Sequence, residues 1–410
     1  MNQKEIGLIL GENERITGSY GDNMNALVVA PPGGGKTYSV ITPNILDNSG
    51  CSMFIDDKKG SLYYKHREEL ENQGYEVRCF DLVTFNGDME YNPFENIKTR
   101  DDIHKIVNFL LPEEQKGVDP FWIEAARDLA EALIDIGMHE GVKMSFEKFF
   151  DLLQSTGTKY KIHNGCEEPE EDDIDRIIQR HKIRGKSYPG MIKYKMVREN
   201  AHDTWKSIRG SCVGHMACFD SDNLFKVTGS TNVDFIDMAK KKMAIFVKSS
   251  DTSDVFYPVV NLMYREMCDR LIGYADAECS SNGFMLPIHV RFILDDFASG
   301  VMMPGFERIL ANCRSRNISF ILSIQSLSQL ESVYGKNADT IMDCVNYKVY
   351  FTSSNLGTQS YLSNVMNLPL SDIQRLRRED ICIEEICKVP RMAKRYNTGD
   401  MLSRALTKGR

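Results

Sequence analysis

The sequence lacks the signatures of metal-binding, disulfide-rich and membrane-spanning proteins. Its eleven cysteines form no C-x-x-C pair, and the closest spacings, Cys212 with Cys218 and Cys382 with Cys387, match no zinc signature. No apolar run approaches the ~18 to 20 residues that cross a bilayer, and the first ten residues hold too short an apolar patch for a signal peptide. We therefore expect reduced cytoplasmic thiols and a soluble chain without a transmembrane segment.

An excess of basic charge is also missing. The 50 lysine and arginine residues are outnumbered by 58 acidic residues, which gives a formal net charge of -8. This balance argues against a protein whose whole surface coats nucleic acid, although it leaves room for a local basic channel. At 410 residues the chain exceeds one ordinary hydrophobic core, so two or three domains are expected.

What the sequence does contain is a glycine-rich turn in ALVVAPPGGGKTYSV, residues 26–40. Gly35, Lys36 and Thr37 fill the last three places of the phosphate-loop pattern G-x-x-x-x-G-K-[ST], while Ala30 occupies the place of the first glycine. An apolar strand candidate precedes the turn, a helix candidate follows it, and consecutive glycines let backbone N–H groups wrap a triphosphate. We predict a nucleotide-binding loop; the alternative is a glycine-rich turn with a chance Lys-Thr pair.

The chemistry of this loop predicts ATP and Mg²⁺ as cofactors. The Lys36 ammonium is expected to contact the β and γ phosphates, and the Thr37 hydroxyl is expected to be a Mg²⁺ ligand. The residues predicted to bind the nucleotide are Pro32, Gly33, Gly34, Gly35, Lys36, Thr37 and Tyr38.

Two strings offer the carboxylate that ATP hydrolysis requires: MFIDD, which ends at Asp57, and FILDD, which ends at Asp296. Both place paired acids after an apolar strand, at the edge where open α/β sheets bind ligands. We favour the second pair because its strand is fully apolar and far downstream of the loop. Asp295 is then expected to hold Mg²⁺ through water and Asp296 to polarise the attacking water. The alternative is that these acids cap a helix.

Two further candidates lie in NCRSRNISFILSIQS. Gln325 ends an apolar strand, where its amide is expected to reach the γ-phosphate. Arg314 and Arg316 lie in the loop before that strand, and an arginine finger that reaches a neighbouring subunit's nucleotide supplies roughly 10³ to 10⁵ in rate. Without the surrounding pattern, each arginine would be interpreted as a solvated surface charge.

The order of the elements predicts an α/β protein with an insertion. Strand candidates ALVVA, CSMFID and YEVRCFDL come first, and KMAIFVKS, VRFILDDF, ISFILSIQS and YKVYFTS come after a long helical block. We predict a P-loop, RecA-like fold with a mainly parallel sheet flanked by helices, split by an all-α domain. The predicted boundaries are 1–97 and 215–410 for the nucleotide-binding domain and 98–214 for the inserted domain.

Two charged stretches remain outside this scheme. CEEPEEDDID holds seven carboxylates in ten residues and predicts a solvated loop, with a docking surface for a basic partner as the alternative. The tail from Lys388 to Arg410 carries seven basic residues against one Asp. It predicts a solvated end, with a phosphate-contacting arm as the alternative.

Several ordered motifs resemble the soluble part of type IV coupling proteins, ATPases that recruit DNA-protein substrates to conjugation and type IV secretion channels. The resemblance runs from about Gly7 to Asp400. In IDDKKGSLY, Asp57, Lys59 and Gly60 match the family's DPKGE segment, whereas Lys58 and Ser61 depart from it. The other motifs are APPGGGKTYSVITPNIL for the phosphate loop, YNPF for the WNP segment, LDDF for LDEF and QSLSQLESVYG for the QS-SQL-YG segment.

The resemblance implies roles for single residues. It implies that Lys36 and Thr37 bind nucleotide and Mg²⁺, that Asp295 is the metal carboxylate, that Gln325 senses the γ-phosphate, and that Arg314 acts across a subunit boundary. Asp296 stands where the family usually has Glu, so its arm is shorter.

The resemblance also implies partners and a location. Residues 98–214 would receive the substrate, and six chains would form a ring around a channel at the cytoplasmic face of the bacterial inner membrane. The implied partners are single- or double-stranded DNA, contacted at its phosphates, the relaxase or relaxosome, and the components of a type IV secretion channel. The family usually carries transmembrane helices before the loop, and only 29 residues precede Ala30. Either they were trimmed, or this is a natural soluble variant that docks on a separate membrane partner.

Two other functions remain open. A septal-type double-stranded DNA translocase shares the P-loop core, but it is not expected to carry the DDKKGS segment or the large helical insertion. A non-hydrolysing adaptor would bind ATP only to hold a ring and would use its helical domain to capture relaxase; Asp296 is its best sequence support.

Overall fold

A computed structural model of the chain describes residues 5–112, 119–163, 166–250, 252–299, 303 and 305–399. They divide into two compact units. The first unit, here called the sheet unit, comprises the described residues within Met1–Val83, Asp234–Tyr257 and Tyr264–Arg410. The second, here called the helical unit, comprises those within Thr84–Val233 and Pro258–Met263. The predicted boundaries at residues 98 and 214 fall inside the helical unit.

The described residues form thirteen strands. They are β1 (Glu5–Gly11), β2 (Glu14–Ser19), β3 (Ala26–Val29), β4 (Ser52–Asp56), β5 (Glu76–Asp81), β6 (Tyr160–His163), β7 (Cys166–Pro169), β8 (Met243–Lys248), β9 (Val290–Leu294), β10 (Ile318–Ile324), β11 (Tyr347–Phe351), β12 (Asp380–Glu385) and β13 (Arg391–Lys394).

The described residues also form sixteen α-helices. They are α1 (Thr42–Leu46), α2 (Ser61–Asn72), α3 (Arg100–Leu110), α4 (Pro120–His139), α5 (Phe146–Gln154), α6 (Asp173–Ile183), α7 (Pro189–Arg198), α8 (His202–Met216), α9 (Asp222–Thr228), α10 (Asp237–Lys240), α11 (Tyr257–Glu278), α12 (Phe306–Cys313), α13 (Leu327–Tyr334), α14 (Asn337–Cys344), α15 (Leu356–Met366) and α16 (Leu370–Gln374).

The sheet unit is built around nine strands in the order β13-β12-β11-β3-β10-β9-β4-β8-β5. All pairs from β11 to β5 are parallel, and only β12 and β13 are antiparallel to their neighbours. Strands β3, β4, β8, β9, β10 and β11 are buried along their whole length. A strand covered on both faces is mostly apolar, which is why these segments appear as largely apolar runs in the sequence. The buried Arg291 in β9 and Lys348 in β11 are exceptions. The predicted α/β class, with a mainly parallel sheet flanked by helices, is confirmed.

A hairpin of β1 and β2 precedes the sheet. It is tied to α1 through Asn44, whose amide accepts from the Ile9 N–H at 2.9 Å and donates to the Ile9 carbonyl at 2.8 Å. Asn44 is fully buried, so these bonds satisfy backbone groups of β1 that face the protein interior. This hairpin was not predicted from the sequence.

The helical unit packs around α4, which contacts α3, α5, α7 and α8. The face of α4 that includes Leu129 and Leu133 is buried. One element of the unit is not helical, because β6 and β7 form an antiparallel hairpin. The Arg198 guanidinium, itself buried, donates to the Tyr160 hydroxyl of β6 at 2.9 Å.

The acidic stretch CEEPEEDDID lies in this unit, and the prediction of a solvated loop is wrong for part of it. Residues Cys166–Pro169 form β7. Asp172 is buried and caps α6, accepting from the Asp175 N–H at 2.8 Å. Its carboxylate also accepts from the Tyr194 hydroxyl at 2.7 Å. A carboxylate at a helix N-terminus is stabilised by the exposed N–H groups there, which offsets the like charges around it.

Among the residues that the structure describes, none of the helices combines the length and apolarity that crossing a lipid bilayer requires.

Two buried histidines predict how the stability of the sheet unit depends on pH. Burial lowers the pKa of His66 to about 4, and burial with the nearby Arg291 lowers that of His289 to about 3. Both imidazoles protonate near pH 6.5 when the chain unfolds. The unfolded chain therefore binds more protons between about pH 7 and pH 4, and the folded state loses stability as the pH falls through that window.

We expect His66→Leu to reduce this loss by on the order of 2 kcal/mol. The measurement is the free energy of unfolding in urea at pH 7 and pH 4. An unchanged difference between the two pH values in His66→Leu would contradict the assignment.

Candidate nucleotide-binding site

The predicted phosphate loop follows β3 and lies at the carboxyl edge of the sheet. The Gly34 N–H donates to the Pro31 carbonyl at 2.8 Å and closes a turn. Gly33 and Gly35 have φ angles of +70° and +97°, which residues with a side chain rarely adopt. The backbone therefore makes the tight turn that a phosphate cradle requires.

The helix after the loop begins irregularly. Thr37–Ile41 form a π-helical turn, which continues directly into α1. Pro43 follows this turn and has no N–H to donate to a carbonyl of it, so the regular hydrogen-bond ladder is interrupted where the π-helical turn passes into α1. The predicted order of strand, glycine turn, Lys-Thr pair and helix is present in the structure.

The Lys36 side chain meets the acid pair that follows β9. Its ammonium forms an ion pair with Asp296 Oδ1 and lies 3.4 Å from Asp295 Oδ1. The Thr37 hydroxyl donates to Asp295 Oδ2 at 2.9 Å. Asp295 is held from the other side by the Ser323 hydroxyl of β10, at 2.5 Å. Four predicted site residues, which are distant in the sequence, thus converge at one point.

Asp296 has an unusual backbone conformation, with a φ angle of 55°. Its N–H donates to Asp295 Oδ1 at 3.0 Å and to Ser323 Oγ at 3.1 Å. Asp is among the few residues with a side chain that tolerate the left-handed region, and such conformations cluster at functional sites. About a third of the Asp296 side chain is exposed (34%), against 18% for Asp295. The second acid is therefore the more accessible of the two to solvent.

The competing acid pair, at the end of β4, has another role. The Asp57 carboxylate accepts from the Tyr63 N–H at 2.8 Å, so it caps the first turn of α2. Burial raises the pKa of Asp57, while the backbone N–H groups of α2 lower it. Asp56 is fully buried, and burial raises its pKa to about 7, partly opposed by Lys58. Asp57 therefore has the helix-terminal role that the sequence suggested as the alternative for Asp295 and Asp296.

The oxygen atoms around Thr37 fit a hydrated Mg²⁺ ion. In nucleotide sites Mg²⁺ takes one or two protein oxygens together with phosphate oxygens and several waters. The Thr37 hydroxyl and the Asp295 carboxylate supply such oxygens side by side. Within the described part of the chain, no group of three or more His, Cys, Asp or Glu side chains is arranged to hold a metal. The donors match a metal shared with a nucleotide rather than a cage made by the protein alone.

The structure places Gln325 and Arg314 at opposite ends of β10. Gln325 follows the strand at the loop's edge of the sheet, and its N–H donates to Gln329 Oε1 at 2.9 Å. Arg314 precedes the strand and is exposed. Seven residues of strand separate the two ends by on the order of 20 Å. Arg314 therefore cannot reach the loop of its own subunit.

Two arginines that the sequence analysis missed contact the loop. The Arg378 guanidinium donates to the Gly33 carbonyl at 2.9 Å, and that of Arg395 to the Gly34 carbonyl at 3.2 Å. Both come from the far end of the chain, so local sequence gives no signal for them. They add positive charge beside the loop and bind two of its carbonyl oxygens.

The predicted solvated tail is wrong for its described part. Residues Arg391–Lys394 form β13, which pairs with β12. Beyond it, Asn397 accepts from the Tyr38 hydroxyl at 2.7 Å, and the Thr398 hydroxyl bonds to the Tyr38 carbonyl. Residues 400–410 lie outside the described residues.

Comparison with known proteins places the chain in a family. A model of the family described as type IV secretory system conjugative DNA transfer matches residues 2–366. The protein VirD4 of Rhizobium radiobacter is 24% identical over 367 residues, which cover 85% of this chain and 49% of that protein. VirD4 of Agrobacterium fabrum is 23% identical over 367 residues, with 86% and 51% covered. The chain spans about half the length of the curated relatives it matches.

Solved structures show the same fold. The plasmid coupling protein TrwB, in complex with the ATP analogue ADPNP, superimposes with a TM-score of 0.65 at 13% identity, covering 91% of this chain and 85% of that one. VirB4 of Thermoanaerobacter pseudethanolicus gives a TM-score of 0.57 at 11% identity, with 95% of both chains covered. The resemblance to type IV coupling proteins drawn from the sequence motifs is confirmed. The chain belongs to the type IV secretory system conjugative DNA transfer family.

Proposed function

We propose that this chain is the ATP-binding and ATP-hydrolysing part of a coupling protein. In this proposal it recruits a DNA-relaxase or protein substrate and helps to move it into a type IV secretion or conjugation channel. The observation that carries the proposal is the convergence of Lys36 and Thr37 with Asp295 and Asp296 at the phosphate loop. Family membership supports the transport role.

The cofactors follow from the same convergence. The fold neighbour TrwB has been solved with ADPNP and with ADP and Mg²⁺, and the donors around Thr37 suit the same pair of ligands. A bound Mg²⁺ would neutralise phosphate charge and align the triphosphate for in-line attack by water. In this chain, Thr37 and Asp295 would hold the metal.

The remaining residues act on phosphate and water. Lys36 exchanges its bond to Asp296 for the β and γ phosphates. Asp296, released from that ion pair, accepts a hydrogen bond from the attacking water. Gln325 reports the presence of the γ-phosphate, and Arg314 stabilises the transition state in the neighbouring subunit. Because Arg314 cannot reach its own loop, hydrolysis depends on a ring, for which we propose six subunits.

The proposal assigns the helical unit to substrate capture and a channel lined by Lys and Arg to DNA phosphates. Binding through phosphates makes affinity fall steeply with salt. The location proposed is the cytoplasmic face of the bacterial inner membrane, next to the channel components.

The first test compares the wild-type chain with Lys36→Ala in nucleotide binding and Mg²⁺-dependent ATP hydrolysis, with and without DNA. Removing one charge-assisted contact to phosphate is expected to weaken ATPγS binding about 10- to 100-fold. Lys65, exposed on α2, gives the control variant Lys65→Ala, which should bind as the wild type does.

The same measurements distinguish the proposed ATPase from the second candidate function, a non-hydrolysing adaptor. Tight ATP binding without turnover, in an assembled ring with DNA present, would show a non-hydrolysing adaptor, which the short arm of Asp296 favours. Binding unaffected by Lys36→Ala would contradict the nucleotide site itself.

A further inference from the structure

Lys58 lies in the turn after β4 and reaches the acid pair of the neighbouring strand. Its ammonium donates to the Asp296 carbonyl at 3.3 Å. The same ammonium lies 5.8 Å from the centre of the Tyr257 ring. Lys58 is half-buried, in contrast to the exposed Lys59 beside it. The side chain is thus directed over the carboxyl edge of the sheet.

Several carboxyl groups lie at the carboxyl edge of the sheet, and a second cation besides Lys36 would balance their negative charge. Four carboxyl groups, those of Asp56, Asp57, Asp295 and Asp296, lie at the ends of the adjacent strands β4 and β9. Lys36 pairs with the last two. When Lys36 turns to a phosphate, Lys58 is the lysine that remains bonded to Asp296. A lysine ammonium has three N–H donors on a flexible stem, so one donor can hold the carbonyl while another meets an anion.

The order of the strands indicates which phosphate group of a bound nucleotide the Lys58 ammonium would meet. The phosphate loop follows β3, and β10 and β9 separate β3 from β4. With strands spaced by ~4.8 Å, the end of β4 lies on the order of 14 Å from the end of β3. Lys58 approaches the site from the side of Asp296, where the chain of phosphates ends, and not from the side where it begins.

We propose that Lys58 contacts the terminal phosphate of the bound nucleoside triphosphate and makes the site distinguish a triphosphate from a diphosphate. This inference rests on the proposed function. It assigns the ammonium of Lys58 to an anionic oxygen of the terminal phosphate while the same side chain holds the backbone of Asp296. A diphosphate lacks that oxygen, so it gains nothing from Lys58.

The test measures the dissociation constants of ATPγS and ADP, both with Mg²⁺, for the wild type, Lys58→Met and Lys65→Met. Methionine keeps the apolar stem of lysine and removes its charge. We expect Lys58→Met to weaken ATPγS binding about tenfold and to leave ADP binding close to that of the wild type. Lys65→Met makes the same charge change on the exposed face of α2 and should alter neither constant.

Equal weakening of both ligands would show that Lys58 only supports the conformation of Asp296, and this would overturn the inference. Dissociation constants of Lys58→Met that equal those of the wild type for both ATPγS and ADP would also overturn the inference. Failure of the proposed function appears differently, because the wild-type chain would then bind neither nucleotide.

Discussion

Replacing Arg314 with alanine should lower the ATPase rate of the assembled protein by about 10³-fold, while ATPγS binding stays near that of the wild type. Arg314 is exposed at the end of β10 remote from the loop. In the proposed ring its charge would act on the nucleotide of a neighbouring subunit. There it would stabilise the charge that develops on the phosphate oxygens in the transition state, which affects turnover more than binding. The measurement is kcat at saturating Mg²⁺-ATP, at a protein concentration where assembly is shown by sedimentation.

Arg316 provides a matched control two residues away. Its guanidinium binds both carboxylate oxygens of Asp276, at 3.0 and 3.2 Å, so it is already engaged within its own subunit. We expect Arg316→Ala to retain most of its turnover. An assembled Arg314→Ala protein with normal kcat would rule out the finger.

A mixing experiment tests the direction of the contact. Arg314→Ala subunits keep an intact loop, and Lys36→Ala subunits keep an intact arginine. Mixed rings should therefore contain some complete interfaces and regain activity that neither variant has alone. If the mixture stays inactive although mixed rings form, Arg314 does not act across a boundary.

The sheet was predictable because parallel strands covered on both faces have apolar side chains at most positions. The missed strands show the limit of that rule. Strand β12, DICIEE, carries three acidic residues among its six, and β13, RMAK, alternates partly buried and exposed residues. These two strands close one side of the sheet, with β13 at its edge; charged residues are tolerated there, so the apolar signal is lost.

The choice between the two acid pairs shows a different limit. MFIDD and FILDD have the same local pattern, and each ends a buried strand of one sheet. Only the order of the strands separates their roles, since β9 lies beside β10 and closer to β3 than β4 does. The roles of Arg378 and Arg395 could not be predicted, because each contacts a loop residue more than 340 positions away in the sequence.

The different roles of the two acid pairs can be tested by substituting one acid of each pair. Asp295→Asn should lower kcat by about 10²- to 10³-fold and raise the Mg²⁺ concentration needed for half-maximal activity. Asparagine preserves the shape of the side chain and can still accept the Thr37 hydroxyl. What it removes is the negative charge that balances the metal. The shift in Mg²⁺ dependence distinguishes a metal carboxylate from a residue that only maintains the fold.

Asp57→Asn is the matched control, because it makes the same change in the other acid pair. The side-chain carbonyl oxygen of the substituted asparagine can still accept the Tyr63 N–H in the first turn of α2. Turnover and Mg²⁺ dependence should then stay close to those of the wild type. The reverse pattern, with Asp57→Asn inactive and Asp295→Asn active, would move the metal to the end of β4. Lys36 would then have to leave both Asp295 and Asp296, which it contacts in this structure, to follow it.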